Sequence, residues 1–335
     1  MAETTYTASS ATTKKLWHEK LFRDTVKESY FAPFMGKDKD DLNSLITVAR
    51  DLEKDQGERI RFTIRMRLTG AGQTGDNTVE GNEEDLTTYT TDLNLEQYRH
   101  GVKTHGKKSD KITHFDVPKQ ARMAIQDWGT EKIDSLMFTA LQNSPTKIFY
   151  PSTATAVDEL TTSMKLDTLV ISRAKAWGLT GWNRAQTPLR PLKVNGKKYF
   201  ILLVHPDQMY DLINDSAFAQ ARREAEVRGP ENPIFTGAKA IWNGVVIHEH
   251  ENIDIALTGG VGGDVPYATS VLMGAQSLLW AWGMRPGIVE DSFDYKNKTG
   301  YAWHMIAATA KPVFNSLDHG SVAIYTARTQ ISDAT

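Results

Sequence analysis

RIRFTIRMRL, residues 59–68, alternates apolar and polar side chains and is the stretch that best predicts local structure. Side chains alternate between the two faces of a strand, so this period of two predicts an amphipathic β-strand. Its apolar face is formed by Ile60 and every second residue after it. The opposite face is basic and carries Arg59, Arg61, Arg65 and Arg67.

The next stretch, LTGAGQTGDNTVEGNEED (68–85), places Gly70, Gly72 and Gly75 in G-x-G-x-x-G order. A dinucleotide-binding turn needs a helix directly after the glycines, because the pyrophosphate lies at the N-terminus of that helix. The segment that follows is acidic and almost without apolar residues, so it cannot supply a buried helix. Asp92 has the spacing of a ribose-binding acid, but spacing alone is weak support. We therefore interpret these glycines, together with Gly81, as flexible turn residues.

A second β-like stretch follows the glycines, and the simplest interpretation of residues 57–102 is a long antiparallel hairpin. Its stem is basic and its tip is acidic. An isolated hairpin of this length is barely stable, so its apolar face and charges favour a partner surface, such as a second copy of the chain. The alternative is a solvated loop on a monomer. The predicted intersubunit contacts are the four arginines and the tip acids Asp76, Glu80, Glu83, Glu84 and Asp85.

The remaining pattern predicts an α+β protein with a mixed sheet. Residues 116–143 carry a helical apolar stripe, with Gly129 as a predicted bend or hinge. A second helix is predicted over residues 165–177 and a third from His205-Pro206 through about Val227. The apolar run 199–204 predicts a buried strand, and Asn243-Gly244 predicts a hairpin turn. Residues 269–329 read as several further strands.

Composition limits the function classes. The 335 residues are 40% hydrophobic and 24% charged, which is typical of globular proteins. A net charge of -2 gives no overall field for DNA or anionic membranes. The absence of cysteine excludes disulfides, thiolate metal sites and cysteine nucleophiles. The polar N-terminus resembles no signal peptide, and no apolar run is long enough to span a bilayer, so a soluble, non-secreted protein is expected.

Other candidate sites are weak, so neither a cofactor nor an enzyme is expected. The tip acids only partly match a calcium loop, because Thr87 stands where a bidentate glutamate is needed. His248 and His250 alternate on a predicted strand and could share a metal ion, although a solvated or hydrogen-bonded strand face explains them better. No P-loop or nucleophile elbow occurs. An enzyme dependent on a nucleotide or metal stays as the less favoured alternative.

Four longer motifs carry a more specific resemblance: RMRLTGAGQTGDNTVEGNEEDL (65–86), LNLEQYRHGVKTHGK (93–107), AIQDWGTEKIDSLMFTAL (124–141) and NPIFTGAKAIWNGVVIHEH (232–250). In this order they resemble major capsid proteins of tailed bacteriophages, which share the fold named after phage Hong Kong ninety-seven. The likeness extends over roughly residues 15–330. Several long motifs in one order are far more specific than a single glycine pattern.

The resemblance implies an anatomy for the chain. Residues 1–50 would form an N-terminal arm and 57–102 the extended loop. Residues 103–164 would form the peripheral domain with spine helix 116–143, 165–266 the axial domain, and 267–335 the C-terminal strands of the peripheral domain.

The resemblance also implies a structural function. Hexamers and pentamers would close into an icosahedral virion shell, assembled in the host cytoplasm, around double-stranded DNA that is contacted without sequence specificity. A portal and a separate scaffolding protein are expected partners, a decoration protein is an optional one, and no membrane is involved. A nanocompartment that encloses protein cargo is the alternative with the same fold.

Overall fold

A computed structural model describes residues 29–37, 41, 43–53, 57–66, 68, 70–113, 116–181, 187–224 and 238–330. The predicted arm 1–50 is therefore described only in its C-terminal part, and Arg67 lies outside the described residues.

Within these described ranges, five α-helices and sixteen strands make an α+β protein, as the sequence predicts. The helices are α1 (Lys107–Ile112), α2 (Val117–Gln142), α3 (Thr168–Thr180), α4 (Pro206–Asn214) and α5 (Ser216–Glu224). The strands are β1 (Ile46–Ala49), β2 (Arg59–Arg65), β3 (Thr88–Asn94), β4 (Glu96–Lys103), β5 (Ile148–Phe149), β6 (Leu192–Val194), β7 (Lys197–Val204), β8 (Ala240–Trp242), β9 (Val245–Glu249), β10 (Ile255–Gly259), β11 (Val265–Met273), β12 (Leu278–Phe293), β13 (Lys298–Ala310), β14 (Val313–Phe314), β15 (Leu317–Asp318) and β16 (Ser321–Ala327). Short 3-10 helices lie at Ala32–Phe34, Asp51–Glu53 and Val157–Glu159.

The strands that the structure describes form two sheets and two separate pairs. The larger sheet has the order β5-β16-β11-β7-β9-β8, with β10 added on β11 and β6 on β7. It is mixed, since β7 and β9 run parallel while β11 runs antiparallel to both β7 and β16. The smaller sheet has the order β1-β12-β13-β4. The separate pairs are β2-β3 and β14-β15.

The chain divides into two compact units. The smaller contains Tyr98–Glu131 and Pro286–His304, and the larger contains Ser29–Gln97, Lys132–Arg285 and the C-terminal stretch from Met305. Four elements continue from one unit into the other: α2, β4, β12 and β13.

In the larger unit, helices α3, α4 and α5 pack on the mixed sheet around an apolar core that includes Leu202 and Ile247. Asp167 begins α3 by accepting a 2.6 Å hydrogen bond from the Val170 amide. His205 begins α4, with Pro206 in its first turn. The single helix expected through about Val227 is instead divided, because the backbone at Asp215 is extended and α5 begins at Ser216. The predicted strand 199–204 and the Asn243-Gly244 hairpin turn are confirmed, since Phe200 to Val204 are buried and β8 pairs antiparallel with β9.

In the smaller unit, Gly129 allows an aromatic ring to approach α2 closely. A Cβ atom at position 129 would collide with Nε1 of Trp303. Trp303 also packs edge to face on Trp128, with ring centroids 5.5 Å apart. The helix predicted over 116–143 runs without interruption from Val117 to Gln142. Close packing is therefore a sufficient reason for glycine here, and the hinge stays a prediction.

Two expected boundaries differ in the structure. The strand paired with β2 ends at Asn94, and β4 belongs to the β1-β12-β13-β4 sheet rather than to a hairpin that extends to 102. Strands β11 and β16 lie in the same sheet as β7 and β9, so the expected division between 165–266 and 267–335 does not separate the sheets. Alternation predicts a strand, but it does not specify the neighbour of that strand.

Candidate assembly interface

The hairpin formed by β2 and β3 carries most of the predicted contact residues. Seven antiparallel residue pairs run from Arg59 opposite Asn94 to Arg65 opposite Thr88. The alternation is confirmed, because Ile60 is buried and Phe62 and Ile64 are half-buried, whereas the arginines of β2 are exposed. The basal half of the hairpin, residues 59–62 and 91–94, differs from the distal half, residues 63–90.

Two basal arginines bind residues on the opposite strand. Nε and Nη2 of Arg61 donate to the two carboxylate oxygens of Asp92 at 2.7 and 2.8 Å. Arg59 donates to Asn94 at 2.7 Å and reaches Asp92 at 3.4 Å. The hydrogen bond from Arg61 lowers the pKa of the Asp92 carboxyl. Asp92, the residue with the spacing of a ribose ligand, is thus bound within the hairpin.

The basal half is also anchored by apolar contacts inside the larger unit. Ile60 and Leu93 lie in a buried cluster with Ala49, Leu279 and Ala308. Only 2% of Leu93 is exposed. Thr91 adds a 2.6 Å hydrogen bond from its hydroxyl to the Val313 carbonyl oxygen. The basal half is therefore part of the folded core.

The distal half has a different environment. Apolar side chains near its tip remain exposed, among them Leu86, which is 61% exposed, and Val79. Residues 70–87 contain turns and irregular backbone without a helix, which excludes the helix that a dinucleotide site would need after its glycines.

The tip glycines have two roles. Gly72, Gly75 and Gly81 have φ angles of 69°, 66° and 82°, a backbone region that favours glycine. Gly70 instead donates its amide to Glu84 at 2.6 Å, and a Cβ there would lie 2.7 Å from the same carboxylate.

The five tip acids fall into two groups. Glu84 and Glu83 accept hydrogen bonds from the Gly70 and Gly81 amides and so hold the tip together. Asp76, Glu80 and Asp85 are exposed and form no ion pair with the part of the chain that the structure describes. Arg65 is likewise exposed and without an ion pair among the described residues.

A second contact surface, absent from the sequence predictions, holds the described start of the chain. Asp134 of α2 accepts hydrogen bonds from the Ser29 hydroxyl at 2.9 Å and from the Tyr30 amide at 2.8 Å. Phe31 packs on Phe138 with ring centroids 4.7 Å apart. The sequence contains one signal for this surface, because Asp134 is a carboxylate within the otherwise apolar stripe of α2. A buried acid needs hydrogen-bond donors, so another segment of the chain has to supply them.

The candidate metal pair lies beside this surface. His248 and His250 both contact the ring of Tyr30, with centroids 5.8 and 5.0 Å apart. The two imidazoles share one face of the strand, as predicted, but that face packs on the aromatic ring of Tyr30. Across the described ranges no three His, Asp or Glu side chains group as metal ligands, and no helix is long and apolar enough to span a membrane.

Comparison with known proteins identifies the family. A family model described as phage capsid protein matches residues 4–147 and 147–330. The chain belongs to the phage capsid protein family. The resemblance drawn from the four motifs is thereby confirmed.

Individual relatives extend the match to nearly the whole chain. The major capsid protein of Pseudomonas phage KPP25 is 26% identical over 366 aligned residues, which cover 94% of this chain and 95% of that protein. The capsid structure of Ralstonia phage GP4 is 28% identical, with a TM-score of 0.84 and coverage of 99% and 100%. The cyanophage Pam1 capsid, at 22% identity, has the same fold with a TM-score of 0.83 and coverage of 98% and 100%. The tailed-phage capsid fold is therefore confirmed, and the chain is a structural component of a virion.

Proposed function

We propose that this capsid protein is the major shell subunit, and that the distal half of its β2-β3 hairpin is the contact that joins one copy to the next. Hexamers and pentamers then close into an icosahedral shell around double-stranded DNA. The observation that supports this most directly is the division of the hairpin. Apolar side chains of the basal half lie in a buried cluster and its arginines pair with Asp92, whereas Arg65, Asp76, Glu80 and Asp85 form no ion pair among the described residues.

The charges of the distal half support a neighbouring copy as the partner. Arg65 and the acids Asp76, Glu80 and Asp85 are exposed on one hairpin. Opposite charges on identical copies attract each other when the hairpin of one copy lies along the next, and such complementarity fixes register as well as attraction. Arg67, Glu83 and Glu84 belong to the same proposed contact.

The proposed role is mechanical, and we assign it no catalytic step, metal or cofactor. Because the net charge of the chain is -2, we infer that DNA is enclosed by the shell rather than bound by a strongly basic surface. A portal and a scaffolding protein complete the proposed assembly in the host cytoplasm, with a decoration protein as an optional outer partner.

Electron microscopy of the purified full chain at high protein concentration tests the proposal. Rings of five or six subunits, tubes or closed shells are the expected result, alone or after expression together with the scaffolding protein of the same phage. Uniform monomers under both conditions would contradict it. Analytical ultracentrifugation on the same samples would show whether the assemblies are the main species.

A further inference from the structure

The turn between β12 and β13, in the smaller unit, presents an aromatic side chain to solvent. Asp294, Tyr295 and Lys296 have φ angles of 54°, 50° and 66°, a backbone region that is unfavourable for bulky side chains. Tyr295 is fully exposed. Two hydrogen bonds close the turn: the Asn297 amide donates to the Asp294 carbonyl at 2.9 Å, and the Asn297 side chain donates to the Asp294 carboxylate at 3.1 Å.

An open cavity of about 270 Å³ lies beside this turn, in the same unit. Its lining residues come from α1, the residues before it and the turn: His105, Gly106, Lys108, Ser109, Ile112 and Asn297. The Lys107 amide donates to the Asn297 carbonyl at 3.1 Å, so the cavity and the turn are held together. Tyr295 does not fill this cavity, since its own side chain is fully exposed.

The lining suits a phenol. Ile112 is 76% exposed and offers an apolar wall for a ring. Lys108 offers an ammonium group for a ring face, and Ser109 offers a hydroxyl partner for a phenol oxygen. A lysine already packs on a ring in this unit, since Nζ of Lys103 lies 4.2 Å from the centroid of Phe293.

We propose that Tyr295 of one copy inserts into the cavity beside Asn297 of a second copy, and that this contact repeats head to tail around an axis. A protruding side chain and a cavity on one surface make a heterologous contact, which forms a ring when the rotation between successive copies closes and an open filament when it does not. A ring around a nearby axis also explains why the two features are neighbours. The inference rests on the proposed function, because it needs many copies of this chain in one assembly.

A photo-crosslinking experiment on the full chain tests the contact. The aromatic photoprobe p-benzoylphenylalanine replaces Tyr295, and the assembled protein is irradiated, separated by denaturing electrophoresis and digested for mass spectrometry. We expect a covalent dimer whose crosslinked peptide contains residues 105–112 or Asn297. The matched control carries the same probe at Val261, which is 96% exposed and lies in the larger unit. No dimer, or a crosslink to the hairpin tip, to the N-terminal segment or to another protein, would overturn the proposal.

A substitution series separates assembly from folding. Asn tolerates positive φ better than Tyr, so Tyr295→Asn is expected to leave the unfolding midpoint of the unassembled chain unchanged or higher. Loss of an aromatic anchor is expected to raise the concentration needed for assembly on the order of tenfold or more. Tyr295→Phe keeps the ring and should assemble nearly normally.

Normal assembly of Tyr295→Asn would overturn the inference while the proposed function stands. Failure of the wild-type chain to assemble with its scaffolding protein would instead contradict the proposed function, and then the inference fails with it.

Discussion

The two halves of the β2-β3 hairpin share one alternating sequence pattern but occupy different environments. In the basal half, Leu93 is 2% exposed and Arg61 binds Asp92 through two hydrogen bonds. In the distal half, Leu86 is 61% exposed, and Arg65 has no ion-pair partner in the described part of the chain. Among the described residues, the buried apolar cluster and the ion pairs of the β2 arginines are thus confined to the basal half, although the two strands stay paired as far as Arg65 and Thr88.

This difference separates the part of the hairpin that stabilises the folded subunit from the part available to another copy. Leucine and valine side chains at the tip are only partly covered by their own chain, and they gain about 25 cal/mol for each Å² that a neighbour covers. Changes in the basal half should therefore alter folding, and changes in the distal half should alter assembly. The predictions below test that separation.

Deleting residues 70–84 should have the largest effect. We expect assembly to be lost, because the contact between copies is removed, while the unfolding midpoint of the subunit changes little, because this tip contributes nothing to the apolar core around Leu93. Electron microscopy measures the first result and thermal denaturation the second. Assembly of the deletion variant into normal shells would contradict the proposed interface.

A control of unchanged length separates the effect of the tip's charge on assembly from the effect of its length. The triple variant Asp76→Asn, Glu80→Gln, Asp85→Asn keeps every residue of the tip but removes its unpaired acids. We expect it to need a higher protein concentration for assembly than the wild type, but still to assemble where the deletion variant does not.

Leu93→Ala should have the opposite effect to the deletion, because it should destabilise the folded subunit rather than act on the contact between copies. Removing a buried leucine side chain costs about 2–5 kcal/mol in the free energy of unfolding, depending on how far the cavity collapses. The matched control is Leu86→Ala, which should change unfolding by less than about 0.5 kcal/mol because the residue is largely exposed. Chemical denaturation of both variants measures the difference. Equal destabilisation by the two would show that the two halves are not distinct.

The sequence predicts the elements of this fold better than their arrangement. Alternation in residues 59–68 predicts the faces of β2, and the apolar stripe predicts α2 to within one residue at each end. The break between Asn94 and Glu96 has no local signal, because Leu93 and Leu95 continue the same alternation while β4 joins another sheet. Pairing of β11 with β7 likewise joins residues about 70 positions apart, and the local hydrophobic period cannot predict such a pairing.

Arg65→Glu should have a moderate effect, confined to assembly. Reversing this exposed charge places like charges beside the acids of a neighbouring tip, so the concentration needed for assembly should rise severalfold at low salt. The effect should nearly vanish at about 1 M salt, where the screening length is about 3 Å. Light scattering over a salt series measures it, with Arg65→Lys as the charge-conserving control. An effect that is independent of salt would mean that Arg65 acts through packing.

The candidate interface shows a similar limit of prediction. Period two places the arginines on one face, but it does not reveal that Asp92 already binds Arg61 while Arg65 faces Thr88. Nor does local pattern reveal that Tyr295 is exposed at a turn with positive φ, since tyrosine in a strand-rich region ordinarily indicates a buried or half-buried position. Both facts depend on cross-strand register and turn geometry.

The smallest expected effect concerns pH, in the basal half alone. Because Arg61 lowers the pKa of Asp92 in the folded protein, the ionised carboxylate stabilises the fold above the unfolded pKa near 3.8, and this contribution is lost as pH falls through the lower folded value. Asp92→Asn should therefore be slightly less stable than wild type at pH 7, and the difference should shrink to zero below that folded pKa. Asp85→Asn, the same change in the distal half, should show no difference at either pH. Urea denaturation from pH 7 down to pH 2.5 measures both variants, and a constant difference for Asp92→Asn would mean that packing or a neutral hydrogen bond, rather than the charge pair with Arg61, holds the basal half.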